Sequence, residues 1–211
     1  MSEAVGAELA EHSRASSSAG APRTVELAST ADGRTVALTL ELDRGHHYRI
    51  LAEGKLRASL CAQLCAKGLA AVVSPDSGLL GNLRVWENLI LPLEWHGAQR
   101  EDLWHRVRSI LEQLSFSDDE GQRLCQAMPE ALPPFEARAA VFTRGLLLAP
   151  EIMVFDRLFA GLGRQESQRA ATFQDVFQAT YPVRTAVSFE EHDSPFAPTL
   201  HAHIHDLRES P

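Results

Sequence analysis

The chain has 211 residues, of which 45% are hydrophobic and 23% charged, as expected for a globular domain that buries a sizeable core. Its 20 lysines and arginines are outnumbered by 28 aspartates and glutamates, and the net charge of −8 argues against nucleic acid as a partner. The three cysteines lack Cys-x-x-Cys spacing, which argues for a reducing cytosol and against a disulfide framework. No segment is apolar enough to cross a bilayer, so we expect no direct membrane insertion.

The predicted elements begin after residues 1–22, whose Ala, Ser, Gly and Glu content without periodicity indicates a disordered tail. The segments 24–30 and 35–43 are typical of strands joined by the turn ADGR, and the apolar run HYRILA follows as a third strand. We therefore expect a hairpin-led sheet to begin the domain. The apolar face of 56–67 then predicts a helix, after which GLAAVVS returns as a strand.

The second half of the chain alternates between helices and strands. VWENLILPL is predicted to be helical as far as Pro92, and Asp118 and Asp119 are placed to cap a helix that runs through Met128. The other predicted elements are helices at 99–114, 136–148 and 164–180 and strands at 151–155, 184–189 and 203–207. This alternation indicates an α/β fold, in which a mainly parallel sheet with flanking helices follows the N-terminal antiparallel hairpin.

Three segments in this order carry a family resemblance: DSGLLGNLRVWENLILPLEWHG, LPPFEARAAVFTRGLLLAPEIMVFDRLFAGL and TAVSFEEHDSPFA. Together they resemble the nucleotide-binding subunit of ABC transporters over about residues 24–207. The resemblance implies a P-loop NTPase fold in a single domain, 23–211, with a helical subdomain at about 83–148. Within the family, the run DRLFAGL is most similar to ATPases of bacterial lipid-transport systems that contain MCE proteins.

The phosphate-binding loop of that family departs from its pattern here. A P-loop, G-x-x-x-x-G-K-[ST], needs glycines so that backbone N–H groups can wrap the phosphates, and a lysine to neutralise them. Aligned without gaps, the matching residues are AEGKLRAS, in which the glycine positions hold Ala52, Lys55 and Arg57. Ala58 then stands at the lysine position, and only Ser59 agrees with the motif.

A gapped alignment would make Gly54 and Lys55 the functional pair. That alignment leaves too few residues to circle a phosphate and puts Leu56 where a hydroxyl belongs, so we favour the ungapped one. The remnant P-loop residues are then Gly54, Lys55, Ala58 and Ser59 in a polar strand-to-helix turn. The expected cofactor is none, or weakly bound ATP with magnesium.

The other family motifs are altered as well. Pro75 stands in place of the glutamine that contacts magnesium and the transmembrane partner, and it has no side-chain carbonyl to offer. The signature Leu-Ser-Gly-Gly-Gln becomes LPPFE, 132–136, whose prolines lack N–H donors for a phosphate and whose Glu136 adds repulsion. Gly163 replaces the aspartate of the loop that contacts the other subunit of the dimer.

Arg157 occupies the position of the catalytic glutamate. A guanidinium stays protonated at any working pH and cannot act as a general base, so we expect no catalytic residue and no hydrolysis. Asp156 is either a retained metal ligand or a strand-end carboxylate paired with a neighbouring arginine, and we favour the second reading. His192, followed by Asp193, matches the family's switch histidine and is interpreted as a remnant.

Two further patterns have an alternative structural explanation. His201, His203 and His205 alternate along a predicted strand, a spacing that suits either a transition metal or a solvated strand face. Because no fourth ligand is evident, we expect no metal. Cys61 and Cys65 lie one helical turn apart and are explained as small buried hydrophobes.

The region after Pro75 corresponds to the part of ABC subunits that receives the transmembrane partner. The predicted partner-binding residues are therefore Pro75, Leu83, Trp86 and Trp95, although tryptophans at these positions also suit a core. The resemblance implies an integral membrane permease as partner, with a homodimer or a heterodimer with another ABC ATPase. The chain would then lie at the inner face of the cytoplasmic membrane.

Three functional hypotheses follow. The leading one is a degenerate ABC subunit of a membrane transporter, of lipid-transport type, with lost or impaired hydrolysis and a structural or regulatory role. The second is an active ABC ATPase with divergent motifs, which tight binding of ATP and magnesium would favour. The third is a soluble adaptor without a permease.

Overall fold

The protein is described by a computed structural model over residues 23–31, 34–66, 70–76, 78–95, 97–197 and 202–208. The predicted tail, residues 1–22, lies outside this range. The strands are β1 (Arg23–Ala31), β2 (Arg34–Leu42), β3 (His47–Leu51), β4 (Ala70–Val73), β5 (Ile152–Asp156), β6 (Thr185–Glu190) and β7 (Ala202–Asp206). The α-helices are α1 (Gly54–Ala66), α2 (Val85–Glu94), α3 (Arg100–Gln113), α4 (Asp118–Gln126), α5 (Pro134–Leu147) and α6 (Arg164–Thr180).

The strands form two separate sheets. β1 and β2 pair as an antiparallel hairpin, and the other strands form a parallel sheet in the order β4-β5-β6-β3-β7. The predicted α/β fold with an N-terminal hairpin is confirmed, but the expectation of one hairpin-led sheet is wrong, because β3 pairs with β6 and β7. The hairpin strands alternate buried and exposed residues, whereas four of the five residues of β3 are buried, as in a central strand of a parallel sheet.

Two hydrophobic clusters flank the parallel sheet. The first lies between the hairpin, α1 and the sheet and includes Leu40, Ile50, Leu60, Val154 and Phe189. The second joins β5 and α6 to helices α2–α5 and includes Leu89, Phe142, Phe155, Phe173 and Phe177. The rings of Phe142 and Phe173 stack at 4.6 Å, which ties α5 to α6. Both faces of the sheet are therefore covered, and its strand ends remain at the rim.

Two predicted helix ends are corrected. α2 continues beyond Pro92 to Glu94, because a proline near the end of a helix removes one N–H donor while the Trp95 amide still bonds the Leu91 carbonyl at 3.2 Å. No helix among the described residues is long and apolar enough to cross a membrane.

The cap of α4 is Ser117 rather than the predicted aspartates 118–119, which lie in the first turn. Glu120 completes a capping box, since its carboxylate accepts from the Ser117 amide at 2.8 Å and the Ser117 hydroxyl accepts from the Glu120 amide at 3.4 Å. The helix ends at Gln126, before the predicted Met128. The division into one domain with a helical subdomain at about 83–148 stays a prediction.

Candidate functional site

The connection between β3 and α1 is short. Only Ala52 and Glu53 separate the last strand residue from Gly54, where the helix already begins. Gly54 adopts a φ of 49°, the left-handed conformation that glycine tolerates, and this allows the sharp turn. A phosphate-binding loop needs several successive N–H groups around the anion. In this structure, residues 54–59 belong to helix α1 rather than to such a loop.

The remnant P-loop residues lie in the first turns of α1. Lys55 and Ala58 are exposed, and Ser59 is half-buried, with its hydroxyl 3.1 Å from the Gln63 amide that donates to it. Between them, Arg57 is buried at 5% exposure. The ungapped alignment thus places a buried arginine at a position where the family motif has a glycine.

Arg57 binds the acidic residue at the end of β5. Its Nη1 group donates to the Asp156 carboxylate, and its Nε group donates to Glu191 Oε1 at 3.2 Å. Burial acts to lower the pKa of the Arg57 guanidinium, but the bonds and charges of the two carboxylates outweigh it and raise the pKa above its ordinary value. Asp156 therefore faces a permanent internal cation, which lies 99 residues away along the chain.

A second buried arginine organises the neighbouring strand ends. Arg49 of β3 is 1% exposed and donates to Glu190 at 2.9 Å and to Asp193 at 2.7 Å. Burial raises the pKa of the Glu190 carboxyl group, and the bond from Arg49 opposes this rise. Ligands of open parallel sheets bind outside the carboxyl ends of the strands. In this protein, internal ion pairs occupy part of that edge.

Arg157 is held by contacts on two sides. Its backbone adopts a φ of 49°, which is uncommon for a residue other than glycine, and its amide donates to the Phe189 carbonyl at 2.8 Å. Its side chain forms an ion pair with Asp76, in the loop that follows β4. Arg157, which the resemblance aligns with the family's catalytic glutamate, is thus a paired cation with no lone pair to accept a proton.

The start of α5 also lacks an anion site of the family type. Pro134 is the first helical residue, Pro133 is the cap, and neither has an N–H group to donate. The Glu136 carboxylate in the first turn accepts from both terminal nitrogens of Arg123, at 2.7 and 3.2 Å. The negative charge at this helix start is consequently paired with a neighbouring helix.

His192 lies in the bend after β6, with its side chain exposed. Its neighbours Glu191 and Asp193 are the residues that bind Arg57 and Arg49. The segment that corresponds to the family's switch is therefore anchored through the residues on either side of His192. A role for His192 itself stays a prediction.

The predicted partner-binding residues differ in exposure, and two of them lie on opposite sides of a helix. Pro75 is exposed and Leu83 is half-buried. Trp86 packs edge-to-face against Trp104 at 5.3 Å and lines a cavity of about 480 Å³ between α2, α3 and α4. Trp95 is 87% exposed. Nine residues at about 100° per residue place Trp86 and Trp95 on opposite sides of α2.

Other large apolar side chains in and before α2 are exposed as well. Leu91 lies one turn before Trp95 on α2 and is exposed, as is Leu80 in the preceding loop. Buried Asn88 connects this loop to α2, since its side chain accepts from the Leu80 amide at 2.6 Å and donates to the Leu80 carbonyl at 3.1 Å. Residues 88, 91 and 95 fall on one side of a helix. We call Leu80, Leu91 and Trp95 the Trp95 patch.

The organising roles of buried Arg49 and Arg57 are not predicted from the sequence. Arg49 stands inside the apolar run HYRIL, and Arg57 stands between apolar helix positions. A charged residue inside an apolar element is seldom buried without a partner, and this signal was present. Which acids would pair with each arginine was not readable from the sequence.

The histidines of the C-terminal strand and the cysteines of α1 are placed as follows in the structure. His201 lies outside the described residues, whereas His203 and His205 share one face of β7. Among the residues that the structure describes, no group of three or more His, Cys, Asp or Glu side chains is placed to hold a metal ion. Cys61 is buried and Cys65 half-buried, and both are free thiols.

Comparison with known proteins identifies the fold. CbiO1 of Clostridium perfringens, described as part of the ABC transporter complex CbiONQ, superposes with a TM-score of 0.61, covering 81% of this chain and 78% of that one at 14% identity. MJ0796, described as a bacterial ABC transporter cassette, gives 0.61 at 13% identity, covering 82% and 88% of the two chains. The fold is that of an ABC ATPase cassette.

The chain is also similar in sequence to ATP-binding proteins of import systems. No protein-family model matches the chain. A methionine import ATP-binding protein, MetN 1 of Rhodococcus jostii, is 28% identical over 123 residues, 57% of this chain and 35% of that protein. The molybdate/tungstate import ATP-binding protein WtpC of Pyrococcus abyssi is 24% identical over 108 residues, 51% and 30% of the two chains. The chain thus matches about a third of the length of these relatives.

Proposed function

We propose that this chain is a degenerate ATP-binding-cassette subunit of a membrane transporter, with lost or impaired ATP hydrolysis and a structural or regulatory role. The observation that carries this proposal is the ion pair between Arg57 and Asp156. In P-loop NTPases the strand-end aspartate helps to hold Mg²⁺, and a loop lysine cradles the phosphates. Here the aspartate is bound by an arginine from α1 itself.

The Arg57–Asp156 ion pair opposes magnesium binding. A divalent cation at Asp156 would have to displace the buried guanidinium of Arg57 or lie beside it at the cost of repulsion. Breaking a buried ion pair by removing one partner costs about 3–5 kcal/mol. A penalty of about 3 kcal/mol lowers an affinity by more than about a hundredfold. ATP with magnesium is therefore at most a weak ligand of this site.

Two further features support loss of turnover. The connection formed by Ala52 and Glu53 leaves no loop to surround a phosphate, and Arg157 has no basic lone pair for a water molecule. The short connection affects phosphate binding, the Arg57–Asp156 pair affects charge compensation by magnesium, and Arg157 affects proton removal from water. Repair of any one of them leaves the other two in place.

The proposed partners are a permease and a second cassette. The MJ0796 cassette is described as dimeric. If this chain pairs in the manner of its fold, as a homodimer or with an intact ABC ATPase, its residues 132–136 bring no N–H donors from the two prolines to the facing site. A heterodimer would then contain two impaired composite sites. One would be built on this chain's β3–α1 connection, and the other would be completed by its residues 132–136.

The Trp95 patch is the proposed contact with an integral membrane permease, on which the chain would lie at the inner face of the cytoplasmic membrane. Large exposed apolar residues beside a polar surface are typical of interaction sites, and tryptophan is enriched among binding anchors. The DRLFAGL run alone supports the proposal that the transporter is of the lipid-transport type. The compared import proteins concern methionine and molybdate or tungstate.

The test is ATP hydrolysis and nucleotide binding by the purified protein, with an intact cassette as positive control. We expect turnover at background and no saturable binding of a fluorescent ATP analogue at micromolar concentrations with magnesium. The matched control is Asp156→Ala, because any contaminating ATPase keeps its activity in this preparation. Turnover that is present in the wild-type protein and lost in Asp156→Ala would overturn the proposal and favour an active ATPase with divergent motifs.

A further inference from the structure

Two histidines from different segments meet at the outer edge of the parallel sheet. His46 immediately precedes β3, and His203 lies on β7, the edge strand that pairs with β3. Their ring centres are 5.5 Å apart, and the ring planes are inclined by 54°. This arrangement is neither a stack nor a hydrogen bond between the rings. The two imidazole rings are therefore neighbours, although they come from different segments of the chain.

The tautomer of His46 follows from its hydrogen bond. Its Nδ1 atom lies 3.0 Å from the backbone carbonyl oxygen of Arg44. A carbonyl oxygen only accepts, so Nδ1 carries the proton in the neutral ring, and Nε2 keeps its lone pair. Histidines that bind metals are commonly oriented in this way, by donating the other ring N–H group to a carbonyl or a carboxylate.

The ring of His203 is oriented by a different contact. It stacks on Tyr48 with ring centres 4.9 Å apart and an angle of 18° between the planes. Tyr48 is buried, and its hydroxyl oxygen accepts from the Asp43 amide at 2.8 Å, so this platform is itself anchored. Both imidazoles are thus held by neighbours rather than by each other.

We propose that His46 and His203 form a binding site for a borderline divalent transition metal such as Zn²⁺ or Ni²⁺, with water in the remaining positions. Imidazole is a preferred ligand of these ions. At a metal–nitrogen distance of about 2.0–2.1 Å, two imidazole centres on one tetrahedral ion lie about 5 Å apart. The ring centres of His46 and His203 are 5.5 Å apart, which is close to this separation.

This site differs from the one that the alternation of His201, His203 and His205 suggests. The structure gives His203 a partner from the other strand, whereas His205 is half-buried two residues further along β7. It also lies at the opposite end of β3 from Arg57, because His46 precedes the strand and α1 follows it. The metal site therefore does not depend on the proposed loss of ATP turnover.

Binding would connect β7 to the segment that leads into β3. Among the described strands, β7 pairs with β3 alone. A metal held by residues 46 and 203 would cross-link these two segments in the folded state and be released on unfolding. We therefore expect a thermal midpoint that rises with metal concentration by mass action.

The experiment uses the full chain without a histidine tag. Zn²⁺ and Ni²⁺ are titrated in a calorimeter against the wild-type protein and against His46→Gln, His203→Gln and the control His105→Gln, an exposed histidine on α3. We expect one ion per chain, an affinity lowered about tenfold or more in both site variants, and an unchanged affinity in the control. Thermal scans with and without the metal provide a second readout, and circular dichroism verifies folding.

Three results would overturn the site. The first is no binding by the wild-type protein at millimolar metal. The second is binding that His46→Gln leaves unchanged, which assigns the metal to other ligands such as the cysteines. The third is loss of binding in His205→Gln while His46→Gln still binds, which assigns the metal to β7 alone.

Discussion

Removing the charge of Arg57 tests whether the ion pair with Asp156 is an integral part of the fold. Arg57→Met keeps an unbranched apolar stem and removes the guanidinium. The side chain of Asp156 is 12% exposed and that of Glu191 is 36% exposed, so the first carboxylate loses a buried partner and the second a half-exposed one. We expect a loss of about 3–4 kcal/mol in the free energy of unfolding, nearly all from Asp156, because exposed pairs contribute little.

This loss is large enough to measure by two methods. For a domain of this size it lowers the thermal midpoint by about 10 °C, and it shifts the urea midpoint without a change in slope. The control is Arg108→Met on α3, because Arg108 also bridges two carboxylates, Glu112 and Asp118, but does so on the surface. We expect the control to lie within about 0.5 kcal/mol of the wild-type protein.

A double-mutant cycle separates the ion pair from lost packing. Asp156→Asn removes the carboxylate charge and leaves Arg57 with Glu191 as its remaining acid. The double variant Arg57→Met with Asp156→Asn should be more stable than the sum of the single losses by about 2 kcal/mol, since no buried charge is left unpaired. Additive losses, or an Arg57→Met variant as stable as Arg108→Met, would refute the reasoning.

The remaining predictions concern catalysis, docking and pH. Arg157→Glu gives no ATP turnover and destabilises the fold by less than about 1 kcal/mol, because its partner Asp76 is largely exposed; turnover in this single variant would mean that the phosphate site is intact. Trp95→Ala leaves the free energy of unfolding unchanged and weakens capture of a co-expressed candidate permease about thirtyfold, whereas equal capture would place docking elsewhere. Burial raises the pKa of Cys125 to about 11 from 9.0, so the folded state keeps this proton when the unfolded state has released it. The stabilisation from the protonated thiol is complete below about pH 9 and falls by up to about 3 kcal/mol as the pH rises to about 11, and urea unfolding should find this dependence shallower in Cys125→Ala.

The parts of the fold that the sequence predicted are those with local signals. Apolar runs bounded by turns marked the strands, and the helix at 164–180 was placed at its observed ends because its periodicity and its flanking glycine agree. The pairing of β3 was not local. Its neighbours β6 and β7 lie more than a hundred residues downstream, and a short apolar strand after a hairpin is equally consistent with a third antiparallel strand.

In the candidate site, too, local features could be predicted from the sequence, whereas contacts between distant residues could not. The absence of a lysine at position 58 and of a carboxylate at position 157 was visible in the letters of the sequence. The choice of Arg57 as the partner of Asp156 was not, because it depends on the crossover that brings α1 to the end of β5 across 99 residues. The favoured interpretation of Asp156, a carboxylate paired with an arginine, described the chemistry, but the sequence did not say which arginine would supply the charge.

The ion pairs of Arg57 and Arg49 neutralise the carboxylates at the strand ends without a bound ligand. The carboxyl ends of β5 and β6 carry Asp156 and Glu190, and two like charges in a buried setting are unfavourable unless cations neutralise them. In an ATP-binding protein the metal can supply part of that charge, and stability then depends on the ligand. Here Arg57 and Arg49 supply it from within the chain. If nucleotide binding is lost, as we propose, the arginines that pair with these carboxylates at the site also stabilise the fold without a ligand.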